Sequence, residues 1–597
     1  MNYPVWHLPD IGGSTLIALI AIVHVFVSHF AVGGGLYLVL AERKGMREQN
    51  PDILSFTRGH CKFFLLVTMV FGGLTGVGIW FIISLVQPAG TSLLIHNFVF
   101  GWATEWVFFL VEIVALFIYF YTFDRMDRRP HLIIGWIYFV AAWCSLFLIN
   151  GIIDFMLTPG QWLIDHDFWS GFFNPTFWPS LVFRTFVAVM MAGLYAYVTC
   201  AWQKNQGLKI AMTRFSGKWV LIALAGAVPS GFWYLSQLPQ PARTLVDGAS
   251  PTIVRALDWG LYAVIAILLI SLIFTVIMPV LHNRVTALVV LACGLLFTGS
   301  FEWTREAARR PYVVNEVMYS NGIRKGEVDD INRQGFLGSA RWVRIREFHE
   351  ESLLEIGQDL FKNQCHACHT VGGFNNDIVA RTANFNYPAM MTYLETLHQK
   401  RYFMPPFVGT PDEMRALATW IVTGLHGKPS EAAGAQAAIG SGEGPGGALF
   451  RNNCIFCHDS GLIKTKTAGW SSERVRSALD KLSALNPAMP DYAGSATEKD
   501  QLAAFILSLN AAGSTVPATA DDAGETVFEA HCAMCHGLAE GGNPLLPKVA
   551  GWSRQRIRAA LDMLEQLQPA MPPMEATSEE KDSLAAFLHQ QSQGGQP

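Results

Sequence analysis

Eight apolar runs dominate the first half of the chain, near residues 12–41, 62–87, 98–124, 131–157, 180–201, 218–238, 258–282 and 285–304. Most reach or exceed the ~20 residues that a helix needs to cross hydrocarbon. A bilayer admits only structures that satisfy their own backbone hydrogen bonds. Residues 1–304 are therefore expected to form an eight-helix transmembrane bundle. The last run is short, and a tight turn at His282–Asn283–Arg284 joins it to the seventh. Beyond residue 304 the sequence becomes polar and mixed, which predicts a soluble half. The net charge of −4 points to no partner and gives no reason to expect nucleic-acid binding.

Loop charge sets an orientation. The loops after runs one, three, five and seven, with their flanks, hold 13 Lys/Arg: Arg43, Lys44, Arg47, Arg58, Lys62, Arg125, Arg128, Arg129, Lys204, Lys209, Arg214, Lys218 and Arg284. The N-terminus and the other three loops hold two, Arg243 and Arg255. The positive-inside rule then places the N-terminus outside, and eight crossings return the chain to that side. The first run has no basic n-region and no A-x-A cleavage site, so it is expected to stay as a helix.

Ten cysteines are present, and their placement matters more than their number. Cys61, Cys144, Cys200 and Cys293 lie in or beside apolar runs; the other six form CHACH (365–369), CIFCH (454–458) and CAMCH (532–536). Cys-x-x-Cys-His is the attachment pattern of haem c. The thiol pairs Cys365/Cys368, Cys454/Cys457 and Cys532/Cys535 would bond the vinyl groups, and His369, His458 and His536 would ligate the iron. A redox dithiol or half of a zinc site uses the same thiols, but three copies, each followed by His, favour three covalent haems. Haem c is attached on the oxidising side of the membrane, the side that loop charge gives the soluble half. The expected location is a bacterial inner membrane, crossed many times, with the C-terminal modules in the periplasm.

The soluble half repeats itself. A Phe stands four residues before each first Cys (Phe361, Phe450, Phe528), and a Met-Pro follows each motif at Met404, Met489 and Met571. Sixteen residues beyond each Met comes an aromatic, Trp420, Phe505 or Phe587. The last two repeats share AGW at 468–470 and 550–552. Gly/Ala/Ser-rich linkers lie near 428–447 and 511–523. Each repeat resembles a small helical class I cytochrome c domain, over 350–427, 444–510 and 521–592. The resemblance makes Met404, Met489 and Met571 the sixth iron ligands. A thioether favours ferrous iron, and two firm ligands leave no open position, so these modules are expected to carry electrons. Met574 is the weaker competitor of Met571, and His366 is expected at the surface. Residues 305–349 read as a charged, partly helical connector. The fold class is all-α.

Ionisable residues inside membrane spans are functional candidates. His24 and His29 are five apart and do not share a helix face, whereas Glu105 and Glu112, seven apart, do. Arg184 lies in the fifth span. The eighth ends in FEWTREAARRPYVV (301–314), and AARRPYVV resembles the region around the GRQPW signature of cytochrome bd oxidase subunit I. HVFVSHFAVGGG, FGGLTGVG (71–78) and INGIIDFMLTP (149–159) resemble further segments of that family in order, over residues 1–315. The resemblance implies His24 and Glu306 as ligands of a membrane haem and Glu105 and Glu112 as proton-relaying, catalytic carboxylates. Glu306 would otherwise pair with Arg309 or Arg310, one turn away. Arg184 stands where the family has a low-spin haem ligand, and LDWGLYAVI (257–265) offers no Met for the other. The quinol loop shrinks to about 239–257.

These features predict a membrane-bound multihaem cytochrome of a respiratory chain. Electrons would pass between periplasmic c haems and a bd-like module holding one or two b- or d-type haems, with oxygen as a candidate acceptor. The chain would be an oxidoreductase subunit, either a bd-like terminal oxidase or a quinol:cytochrome c reductase. A non-enzymatic anchored carrier is the third reading. The resemblance also implies a second membrane subunit, quinol and a further redox protein as candidate partners.

Overall fold

The computed structural model describes residues 3–383, 385–430, 445–454, 460–482, 492, 494–511, 524–525, 527–528, 531–532, 545–550, 552–562, 564, 574 and 576–593. Among the described residues, eight helices are long and apolar enough to cross a membrane: α1 (Gly13–Arg47), α2 (Pro51–Val86), α3 (Val99–Tyr121), α4 (Arg128–Phe155), α5 (Phe177–Ala201), α6 (Gln206–Ser236), α7 (Pro251–Leu272) and α8 (Arg284–Ala308). Several outrun their apolar stretches. α2 begins at Pro51, where Asn50 caps it by accepting from the Asp52 and Ile53 amides. The turn before α8 is a capping box between Asn283 and Thr286.

The GGG of α1 lets three helices touch it. A Cβ at Gly33 would lie 1.9 Å from the Ala188 carbonyl of α5, one at Gly34 2.4 Å from the Phe64 ring of α2, and one at Gly35 2.4 Å from the Tyr138 ring of α4. Small residues permit such approaches in a solvent where hydrophobic burial drives no helix pairing. α5 sits deepest, and Phe30 of α1 stacks on its Tyr195 at 3.9 Å. Trp106, Val107, Leu110 and Val114 of α3 are exposed, as a lipid-facing surface requires.

The described chain divides into two compact units: Met1–Ala383 with Thr396–Trp420, and Asn384–Glu395 with Ile421–Pro597. In the first, the connector is more ordered than its charge implied. It carries an antiparallel hairpin of β1 (Tyr312–Val314) and β2 (Met318–Tyr319), with Tyr312 stacked on Tyr319 at 4.8 Å. It then clips to the first haem module. Buried Glu413 accepts from the amides of Phe336 (2.8 Å), Leu337 (2.7 Å) and Thr410 (2.8 Å), and Asp359 accepts from Arg344.

All three haem modules share one helix crossing. In the first, α9 (Leu353–Gln364) crosses α10 (Pro411–Thr419) and the turn that continues it, with Phe361 4.8 Å from Trp420. In the second unit, α11 (Pro445–Asn453) crosses α13 (Ala496–Ala511) with Phe450 5.3 Å from Phe505; α12 (Ser472–Asp480) lies between them in sequence. In the third module Phe528 meets Phe587 of α15 (Ser578–Gln593) at 6.2 Å, with α14 (Arg554–Leu561) against α15.

Candidate haem sites and the buried ion network

The crossing has a determinant that the sequence reading overlooked. A Cβ at Gly357 would lie 2.2 Å from the Ala416 carbonyl, one at Gly446 2.1 Å from that of Gln501, and one at Gly524 2.6 Å from that of Ser583. Each glycine stands eight residues before the first Cys of its motif, so the signal was present as a fourth repeated position. The close approach brings the Phe and its aromatic partner together and fixes where the Cys motif leaves the first helix.

In the first module the donors fit a c-type haem. Cys365 and Cys368 are free thiols, and burial pushes the Cys365 thiol up to about 12. The Nδ1 of His369 donates to the Asn376 carbonyl at 2.8 Å, which fixes the tautomer and leaves Nε2 as the lone-pair nitrogen. Burial holds this imidazole below its usual pKa, in the neutral form that binds a metal. The loop bearing Met404 is braced by His398 Nδ1, which donates to the Met404 carbonyl at 2.7 Å. Gln364 bonds both the amide and the carbonyl of Val408, at 3.0 and 2.7 Å. In the other modules Cys454 and Cys532 lie among the described residues; Cys457, His458, Met489, Cys535, His536 and Met571 lie outside them. Met574 is buried in the apolar core of its module. His366 is not a surface residue: it is half-buried, its ring 5.1 Å from that of His7.

The first module is seated on the bundle within the same unit. Asn375 donates to Ser14 at 2.7 Å, and the Phe374 amide to the Asp10 carbonyl at 2.7 Å. Tyr402 and Phe403, just before Met404, pack on a cluster that includes Leu157, Tyr234, Leu238 and Ala308.

Among the membrane candidates, His24 is half-buried, with Nδ1 3.1 Å from the Thr75 hydroxyl and Nε2 left for another partner. His29 points elsewhere, its Nδ1 donating to the Val25 carbonyl at 2.8 Å. Glu105 accepts from Ser145 of α4 at 2.9 Å, and Ser145 also faces the buried Glu112, so the two carboxylates do share a face.

Glu306 sits in a run of charges that closes the end of α8. Arg184 of α5 lies 2.9 Å from Glu302, Arg305 bonds Glu302 at 3.0 Å and Glu306 at 2.5 Å, and Arg309 pairs with the other Glu306 oxygen. Its partners are thus Arg305 and Arg309, rather than Arg310. Arg309 also bonds the Val313 carbonyl and the Met156 sulfur. Arg184 and Glu302 are both buried, so each charge is tolerable only because the other is present. Glu302 was not singled out from sequence, because nothing local marks it as the partner of a residue 118 positions away.

Residues 15–238 match the family model of cytochrome bd terminal oxidase subunit I, and residues 352–421, 444–506 and 519–588 match that of cytochrome C oxidase, cbb3-type, subunit III. Cytochrome c-554(547) of Halothiobacillus neapolitanus is 44% identical over 39 residues, 6% of this chain and 43% of that protein, so the match spans less than half the relative's length. A solved bd oxidase from Geobacillus thermodenitrificans aligns with a TM-score of 0.46 at 16% identity, over 52% of this chain and 90% of that one. The chain joins a membrane module like cytochrome bd oxidase subunit I to three class I cytochrome c domains, and is a membrane protein of respiratory electron transfer.

Proposed function

We propose that electrons pass between the three c-type modules, on the outer side of the membrane, and a haem-bearing site within the bundle, with oxygen as the acceptor. The observation that carries this reading is the seat of the first module. Its Met404 loop rests on the bundle through Tyr402 and Phe403, so the module is held as a junction rather than tethered as a free carrier. A c-type haem bound at Cys365, Cys368, His369 and Met404 supplies one-electron carriage. The chain's own work there is positioning: Asn376 aims the His369 ring, and Gln364 and His398 brace the strap that carries Met404. The same roles are proposed for Cys454, Cys457, His458 and Met489, and for Cys532, Cys535, His536 and Met571.

Within the bundle His24 is the proposed ligand of a b- or d-type haem, since its Nε2 is left for a metal once Nδ1 faces Thr75. Glu306 is proposed beside it, and its ion pairs with Arg305 and Arg309 must part before one of its oxygens can reach iron. Glu105 and Glu112 are the proposed proton carriers. The segment between α6 and α7 holds only a short helix, Gln240–Thr244, and a following turn, which leaves little chain for a quinol site and favours entry through the c modules. A second membrane chain and a periplasmic redox protein are the proposed partners.

Mixing the reduced protein with oxygen in a stopped-flow spectrometer tests this. Oxidation of the c-type bands within seconds is expected; bands that stay reduced for minutes reject the oxidase.

A further inference from the structure

The two relay carboxylates belong to a longer ladder. Along α3, Glu105, Glu112 and Tyr119 are spaced by seven; along α4, Ser145, Tyr138 and His131 are spaced by seven in the opposite direction. Seven residues is close to two helical turns, so each set lies on one face. The two faces meet. Ser145 bonds Glu105, Tyr138 stands within electrostatic reach of Glu112, and the rings of Tyr119 and His131 stack at 4.2 Å.

At the end of the ladder lies a buried acid from α1. Glu42 is fully enclosed, and it accepts from the Tyr119 hydroxyl at 2.7 Å and faces His131 Nδ1 at 2.9 and 3.0 Å. The other ring nitrogen, Nε2, lies 2.8 Å from the Tyr119 carbonyl. A carbonyl only accepts, so Nε2 must carry a proton. The contact with Glu42 then needs a second proton, held either on Nδ1 or on the carboxyl group. The pair can thus pass a proton between its members without moving a heavy atom. It is also connected to solvent. Arg128, one-third exposed, reaches Glu42 at 3.4 Å, and it neighbours Asp124, which pairs with Arg58 at the surface. Cys61 of α2 faces Glu42 and Tyr138 from the remaining side. This end of the bundle carries the Lys/Arg-rich loops after α1 and α3.

We propose that Glu42 and His131 are the proton-loading site of the membrane module: they take a proton from the basic-loop side and deliver it along the Tyr119–Tyr138 face to Glu112 and Glu105. This rests on the reading that the module is redox-active. One proton enters for each electron that stays in the bundle, so no net charge accumulates there.

The test uses the full chain in proteoliposomes with a pH-indicator dye, reduced by ascorbate through a mediator. Wild type is expected to take up protons in step with reduction. Glu42→Gln is expected to slow uptake on the order of a hundredfold, with c-type bands unchanged, and Glu42→Asp to restore most of it. If Glu42→Gln does not fold, His131→Gln replaces it; that side chain still donates to Glu42 but carries no extra proton, and the same loss is expected. Unaltered uptake in a folded variant of either kind overturns the loading site. Wild type that takes up no proton overturns the redox reading itself, and the site with it.

Discussion

The first haem module and its two successors share one crossing but are held in different ways. All three place a glycine under a facing carbonyl and an aromatic pair beside it. Among the described residues, the first is pinned by the connector and the N-terminal segment, through Glu413 on the connector amides, Arg344 on Asp359, and contacts of Ser14 and Asp10, whereas the second and third touch each other where Arg474 meets His531 at 2.9 Å. The second and third have instead a cation over the AGW indole: Arg474 over Trp470 at 4.5 Å and Arg556 over Trp552 at 4.2 Å. A repeat thus encodes how a module folds, while segments unique to one copy encode where it is fastened.

The largest test is on the fastening. Glu413→Ala leaves the buried Phe336 and Leu337 amides unpaired at roughly 1–3 kcal/mol each, and the half-buried Thr410 amide with them, so a loss of at least about 2 kcal/mol is expected. It should appear as early melting of the first module and proteolysis within residues 335–345, with the other two modules intact. Equal melting of all three would dissolve the distinction.

A smaller effect should be common to all. Gly357→Ala, Gly446→Ala and Gly524→Ala each force a methyl against a backbone carbonyl, and overpacking of this kind costs about 1–3 kcal/mol. Each is expected to lower haem incorporation in its own module, read by mass spectrometry of haem-bearing peptides. Unequal losses would show that the shared crossing is not what folds the modules.

The smallest effect should separate them the other way. Arg556→Ala removes an exposed cation–π contact worth about 0.5–1 kcal/mol. It is expected to lower the melting temperature of the third module by a few degrees and leave the first unmoved.

Much of this was legible in the sequence. Apolar length marked the eight helices, because hydrocarbon thickness sets a span directly. Fixed spacing marked the Cys-x-x-Cys-His motifs and the aromatic pairs. The start of α2 was not legible, since Pro51–Cys61 is amphipathic rather than apolar and its helix is set by the Asn50 cap. The charged connector hid a hairpin because tertiary contacts, not local pattern, order it. The expectation of a surface His366 failed because the N-terminal segment with His7 covers it, a contact across more than 350 residues. Glu42 looked like one more loop-proximal charge; only the meeting of α1, α3 and α4 shows that it is enclosed.

The central claim is that thioether-bound c haems serve a second, non-covalent haem inside the bundle. Acid–acetone extraction of the purified full chain, followed by pyridine haemochrome spectra of both fractions, tests it most directly. Three haems retained on the protein and at least one extracted per chain is the predicted result; three retained and none extracted would contradict it.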